Sequence, residues 1–128
     1  KMFTVNSISP LIVVKTFLPL LHKSEKAYIV NISSGRSSLK DEYANTNGNY
    51  GYRSSKAALN MMTFSSTFDL PKNVRTFAIH PGGVKTDMNP TGEHDPEIQA
   101  GKIISITKNW KNEFNGRFLR FDGTFYPL

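Results

Sequence analysis

The chain has 128 residues and a mass of 14.4 kDa, enough for one hydrophobic core and too little for two full domains. Hydrophobic residues make up 38% and charged residues 20%, which predicts an ordinary folded protein rather than a disordered or collagen-like one. The lack of cysteine excludes disulfides and thiolate metal sites, and the net charge of +6 is too dispersed to indicate nucleic-acid binding.

The first predicted element is a half-buried helix over residues 3–22, because apolar residues recur there at spacings of three and four. Its most apolar stretch, residues 11–21, contains Lys15 and Pro19 and is shorter than the roughly 20 apolar residues of a membrane span. We therefore expect no transmembrane helix. Because the sequence starts at Lys1 rather than at methionine, we expect a part of a longer polypeptide.

Strands and helices are predicted to alternate after this first helix. The predicted strands cover residues 26–33, 73–80 and 116–121, and the predicted helices cover residues 52–70 and 95–110. Such alternation implies parallel strands with crossover helices, hence an α/β fold with a doubly wound, Rossmann-type sheet. Three strands are few for such a sheet, so residues 1–128 are expected to form a single partial domain, the C-terminal part, with the N-terminal half absent.

A tyrosine and a lysine lie one helical turn apart in the second predicted helix. Tyr52 and Lys56 are at positions i and i+4, so their side chains share one helix face. A nearby positive charge stabilises a phenolate, and the pair therefore predicts a tyrosine that exchanges a proton with a substrate oxygen near neutral pH.

Two further motifs follow strand ends, where open α/β sheets place their ligands. They are VNISSG at residues 30–35 and HPGGVKTD at residues 80–87. Together with YRSSK at residues 52–56, they resemble the C-terminal half of a short-chain dehydrogenase/reductase. The resemblance continues along this helix over residues 52–61, YRSSKAALNM. These residues, together with the segment at residues 116–123, look closest to the C-factor and sniffer-like carbonyl reductases of that family.

The resemblance implies an NAD(P)-dependent oxidoreductase that transfers a hydride between a nicotinamide cofactor and a small carbonyl or alcohol. Tyr52 would be the general acid or base, Ser34 would orient the substrate oxygen, and Lys56 would hold the nicotinamide ribose. The cofactor-binding residues that it implies are Tyr52, Lys56, Pro81, Gly82, Val84 and Thr86. Taken singly, Ser34 also fits a turn or capping serine, and Thr86 fits a helix N-cap.

Asn6 would be the fourth catalytic residue, with a main-chain carbonyl that holds a water in a proton relay to Lys56. Pro10 has no N–H and lies at i+4 from Asn6, so the usual helical hydrogen bond to that carbonyl cannot form. The alternative is that Pro10 only marks the first turn of a helix that starts near Ser9.

By analogy with the subgroup, NADP(H) is expected more than NAD(H). The sequence has no glycine-rich phosphate turn after a first strand, so these residues alone are expected to be inactive. Three scattered histidines predict no metal site. We further expect a cytoplasmic protein without nucleic-acid or membrane partners, and a homodimer or homotetramer at full length.

The sequence leaves two other classes of protein open, and it departs from the family pattern at one point. A non-catalytic nucleotide-binding sensor or scaffold of the same fold would not need Asn6, Ser34, Tyr52 and Lys56 together. A sugar-nucleotide epimerase or dehydratase shares the Tyr and Lys but carries a further sugar-binding domain. Ser34 lies eighteen positions before Tyr52, a longer spacing than is common in the family, with Lys40, Asp41 and Glu42 between them.

Overall fold

A three-stranded sheet forms the centre of the structure, a computed structural model that describes residues 1–40 and 48–128. Strand β1 (Ala27–Ile32) pairs with β2 (Val74–His80), and β2 pairs with β3 (Phe118–Arg120). The spatial order is therefore β1-β2-β3, with β2 in the middle. Residues 35–51 are polar in sequence and predict a loop, and part of this segment lies outside the described residues.

Every pair of neighbouring strands is parallel. Ala27 lies opposite Val74 at the start of β1, and Ile32 lies opposite Ile79 at its end. The α/β fold with parallel strands is thus confirmed. Because the strands point the same way, the residues that follow β1 and β2 meet at one edge of the sheet.

The described residues form three α-helices that connect or precede the strands: α1 (Ser9–Lys23), α2 (Tyr50–Ser66) and α3 (Pro96–Lys108). α1 continues from a wider π-helical segment, Thr4–Ile8, in which the N–H of Ser9 reaches back to the carbonyl of Thr4. The first helix therefore starts where the sequence predicts it, with a local change of winding next to the proline.

The start of α3 agrees with the helix that the sequence predicts from residue 95. The side chain of Asp95 accepts hydrogen bonds from the N–H groups of Glu97 and Ile98, at 2.9 and 3.1 Å, and Pro96 opens the helix. An N-cap side chain satisfies N–H groups that have no partner inside the helix. This cap fixes where the helix leaves the segment that follows β2.

The main hydrophobic core lies between the middle strand and α3. Phe77 and Ile79 alternate along β2 and are fully buried. They pack with Ile106 of α3, with Leu119 of β3 and with Phe114, which precedes β3. The complete cluster is Phe77, Ile79, Ile106, Phe114 and Leu119, flanked by Val30, Ile103 and Trp110. Burial of this face holds α3, and hence the loop before it, against the sheet.

The N-terminal helical segment Thr4–Lys23 exposes most of its apolar side chains. Ile12 is 58% exposed and Leu20 is 60% exposed. By length and composition this 20-residue segment could cross a membrane, a test that core helices of soluble proteins and signal sequences also pass. The expectation that no such segment is present is therefore not confirmed.

Candidate active site

The ammonium group of Lys56 lies against the carboxyl end of β1. Its Nζ donates a hydrogen bond of 2.7 Å to the main-chain carbonyl of Ile32 and lies 5.9 Å from the centre of the Tyr52 ring. Both residues come from α2, one helical turn apart, as the sequence predicts. Partial burial lowers the pKa of Lys56 below its ordinary value because desolvation disfavours the charged form.

Ser34, two residues after the end of the same strand, caps a short 3₁₀ turn, Gly35–Ser37. The hydroxyl of Ser34 accepts a hydrogen bond of 3.2 Å from the N–H of Arg36, so Ser34 caps this turn, as one of its two sequence-based interpretations proposes. Its neighbour Ser33 is buried, and the Ser33 hydroxyl donates to the carbonyl of Lys56 at 3.4 Å. These contacts bring the strand end and α2 together.

The π-helical segment brings Asn6 to the same helix. The side-chain amide of Asn6 donates to the hydroxyl of Ser55 at 3.1 Å, and Ser7 donates to the carbonyl of Ser55 at 2.8 Å. Ser55 is fully buried and in turn donates to the carbonyl of Tyr52 at 2.7 Å. The sequence does not predict the hydrogen bond from Asn6 to Ser55, because nothing in the local pattern distinguishes this serine from other polar residues of a helix.

The segment after β2 is folded tightly onto the start of α3. The N–H of Lys85 donates to the carbonyl of His94 at 2.8 Å, and the N–H of His94 donates to the carbonyl of Gly83 at 3.1 Å. Gly92 packs so closely that a Cβ there would lie 2.5 Å from main-chain atoms of Val84 and Lys85. The main chain at Val84 is therefore held in one place.

Gly82 is required by its conformation as well as by its surroundings. Its φ of +83° is unfavourable for residues with a Cβ, and a Cβ would lie 2.6 Å from the ring of His94. Thr86 is exposed and exchanges main-chain hydrogen bonds with Asn89. It does not cap a helix, because α3 starts ten residues later, so that interpretation of Thr86 is wrong.

Two further side chains hold this segment and were not predicted. The amide of Gln99, 2% exposed, donates to the carbonyl of Pro81 at 2.5 Å. The amide of Asn89 donates to the carbonyl of Val84 at 3.2 Å. Polar residues on a predicted surface helix or loop read as solvent-exposed, so only the tertiary structure reveals that they bind main-chain carbonyls.

The site therefore combines a phenol and an ammonium on one helix, a serine at one strand end and an ordered segment at the next. Three elements hold it together: the π-helical segment, α2 and the start of α3. A proton donor, a fixed cation and a main-chain segment at the carboxyl edge of a parallel sheet form a geometry suited to a substrate with a polar oxygen. Within residues 1–40 and 48–128 there is no group of three or more potential metal ligands.

Comparison with known proteins gives a consistent result. The family model described as "short chain dehydrogenase" matches residues 1–97. C-signal of Myxococcus xanthus is 36% identical over 98% of this chain, which covers 75% of that protein. A 1-hydroxy-2-glutathionyl-2-methyl-3-butene dehydrogenase of a Rhodococcus species is 40% identical over 94% of this chain, which covers 54% of that protein.

Solved structures agree with the sequence comparison. The carbonyl reductase Sniffer of Drosophila melanogaster superposes with a TM-score of 0.86 at 31% identity, over 98% of this chain and 55% of that one. An NADPH-bound carbonyl reductase from chicken fatty liver gives a TM-score of 0.85 at 33% identity, with the same two coverages. The chain thus spans little more than half the length of both solved chains.

Proposed function

The chain belongs to the short-chain dehydrogenase family, and from that premise we propose that it is the catalytic half of an NADP(H)-dependent oxidoreductase for a small carbonyl or alcohol. The observation that carries the proposal is the position of Lys56, beside Tyr52 on α2 and bonded to the last residue of β1. Ser34 follows the same strand end, where a substrate oxygen would have to lie between serine and tyrosine.

The donor set at this edge fits the nicotinamide end of the cofactor. An ammonium has three N–H donors. Lys56 donates one of them to the carbonyl of Ile32, which leaves two for the hydroxyl groups of a ribose. The fixed main chain of Val84 and the exposed hydroxyl of Thr86 would contact the carboxamide, with Pro81 and Gly82 shaping that segment. When bound, NADPH supplies the hydride for reduction.

The proton comes from this chain's own residues. Tyr52 donates its phenolic proton to the carbonyl oxygen as the carbonyl carbon accepts the hydride, which gives an alcohol; the reverse reaction uses the phenolate as base. The hydroxyl of Ser34 donates a hydrogen bond to the same oxygen and orients it. Both groups act on one atom, so their relative position sets the rate.

Asn6 would connect the site to solvent. Pro10 lacks the N–H that would bond to the Asn6 carbonyl in an α-helix, and the surrounding segment is π-helical. That carbonyl would hold a water that returns a proton towards Lys56. The bond from the Asn6 amide to Ser55 supports this assignment, because it fixes Asn6 against the helix that carries Tyr52 and Lys56.

The NADPH named in the chicken carbonyl reductase structure supports NADP(H) over NAD(H) here. A cytoplasmic location and a homodimer or homotetramer stay predictions of the sequence.

Isotope transfer tests the proposal against a non-catalytic sensor. The whole gene product, incubated with NADPH deuterated at the transferable position and with nitrobenzaldehyde, should form an alcohol that carries deuterium on its carbinol carbon. A sensor would bind NADPH and transfer no label. The proposed activity would be contradicted if the protein bound NADPH but formed no deuterated alcohol from any of a panel of small aldehydes and ketones.

A further inference from the structure

The chain has to place Ser34 correctly although it lies eighteen positions before Tyr52. Seven of the intervening residues, 41–47, lie outside the described part of the structure. The connecting segment is thus longer than the common spacing in the family, and a long connection by itself constrains its two ends weakly. A direct contact between the serine turn and α2 would solve this problem.

Two side chains form such a contact. The amide of Asn60 donates a hydrogen bond of 2.8 Å to the hydroxyl of Ser37, and that hydroxyl donates one of 2.6 Å to the main-chain carbonyl of Ser34. Asn60 is 5% exposed and Ser37 is 7% exposed, so water competes little for these bonds. The carbonyl of the serine is thus tied to α2 through one intermediate hydroxyl.

The helix that carries the tie also carries the proposed proton donor. Asn60 follows Lys56 by four residues and Tyr52 by eight, which places all three on one side of α2. Any shift of the serine turn along or away from α2 would break the bond to Asn60. The serine turn is therefore tied directly to the helix that carries Tyr52.

The direction of the bonds explains why residue 60 is an amide. The one hydroxyl proton of Ser37 is donated to Ser34, so the partner of Ser37 must itself donate, and asparagine can. The Oδ1 atom of Asn60 is buried without a hydrogen-bond partner in the described residues. An unsatisfied buried acceptor lowers stability, which an apolar residue at this position would avoid.

We propose that Asn60 is a positioning residue that acts through Ser37 to hold Ser34 in register with Tyr52. The proposal rests on the proposed function, because it concerns the orientation of the residues assigned there. It predicts that loss of the tie slows the chemical step and leaves cofactor binding intact, since Asn60 and Ser37 have no part in the proposed cofactor contacts.

The test uses Asn60→Ala, Ser37→Ala and the double variant in the whole gene product. The matched control is Asn73→Ala, because the amide of Asn73 also holds a loop through main-chain carbonyls, those of Leu21 and Ser24. Two readouts are measured: kcat and the KM for NADPH with nitrobenzaldehyde, and hydrogen exchange of the amides at residues 34–38. Ser37→Ala keeps the proposal testable if Asn60→Ala fails to fold.

We expect kcat to fall by about tenfold or more in both single variants, with the KM for NADPH changed less than about twofold. The double variant should be no slower than the worse single one, and exchange at residues 34–38 should accelerate. A kcat and an exchange rate equal to those of the parent in Ser37→Ala would overturn the proposal, as would an equal loss of kcat in Asn73→Ala. If the parent itself shows no turnover, the proposed function fails, while the exchange rates still decide whether Asn60 holds the turn.

Discussion

The Nζ atom of Lys56 lies 2.7 Å from the main-chain oxygen of Ile32, the last residue of β1. A long, flexible side chain is thereby fixed at the carboxyl edge of the sheet, where the serine turn also begins. The same ammonium lies beside the Tyr52 ring. This hydrogen bond, like the one from Ser33 to the carbonyl of Lys56, joins the strand that precedes Ser34 to the helix that carries the proposed proton donor.

Lys56→Ala should impair both turnover and cofactor binding. It removes the ribose contact and the charge beside Tyr52, so we expect a loss of about tenfold or more in kcat and a similar rise in the KM for NADPH. Lys26→Ala is a matched control, because the Lys26 ammonium lies 5.5 Å from the Tyr28 ring at the start of β1, away from the site. Steady-state kinetics of the whole gene product measure both effects. Equal effects of the two substitutions would contradict the proposed roles of Lys56.

The lowered pKa of Lys56 has a consequence for stability against pH. Because the folded state holds its proton less tightly than the unfolded state, the free energy of unfolding gains a contribution that rises with pH. This rise occurs between the lowered pKa and the ordinary value of 10.5. Urea unfolding of the parent and of Lys56→Met across alkaline pH should show a difference that grows in favour of the parent; a flat or falling difference would refute the prediction.

Gly92→Ala should weaken NADPH binding. Its Cβ would lie 2.5 Å from the main chain of Val84 and Lys85, so the segment proposed to contact the carboxamide must move. We expect the Kd for NADPH, measured by calorimetric titration, to rise about tenfold. Gly101→Ala is the control, since a Cβ at this position in α3 meets nothing within 4 Å and should stabilise the helix by up to about 1 kcal/mol. An unchanged Kd in Gly92→Ala would show that this segment does not contact the cofactor.

Residues 1–128 by themselves should neither bind NADPH tightly nor turn over. In the described structure β1 pairs on one side only, with β2, and Ile32 at its end is 47% exposed. A parallel sheet is normally buried on both faces, and the phosphates of a dinucleotide are normally held at a helix N-terminus after a glycine-rich turn. Calorimetric melting and titration of these residues, beside Drosophila Sniffer as reference, should show a broad transition and no micromolar binding. A cooperative melt with micromolar binding would contradict this expectation.

The sequence predicts the elements of this fold well because their signals are local. The buried run of β2 and the Asp95–Pro96 helix start are both found where their residues indicate. The helix α2 begins two residues before Tyr52, because Asn49 adopts a left-handed conformation that ends the preceding segment. Its end at Ser66, before the predicted residue 70, follows from turns that precede Pro71.

The contacts that hold the site together could not be predicted in the same way. Asn60, Gln99 and Asn89 each donate to a group outside their own helix or turn, and each reads in the sequence as a solvated polar residue. The sequence indicates Tyr52 and Lys56, the residues proposed to carry the chemistry, because they share a local spacing. The bonds from Asn60 to Ser37 and from Gln99 to Pro81 depend on tertiary packing between segments that are distant in the chain.

The substitution Tyr52→Phe in the whole gene product tests the proposed function most directly. Removal of the phenolic hydroxyl should lower kcat with nitrobenzaldehyde by at least about a hundredfold, because no other described side chain is assigned to protonate the carbonyl oxygen. The Kd for NADPH should stay within about twofold of the parent, since Lys56 still holds the ribose. Turnover by Tyr52→Phe at a rate close to that of the parent would contradict the central claim that Tyr52 is the proton donor.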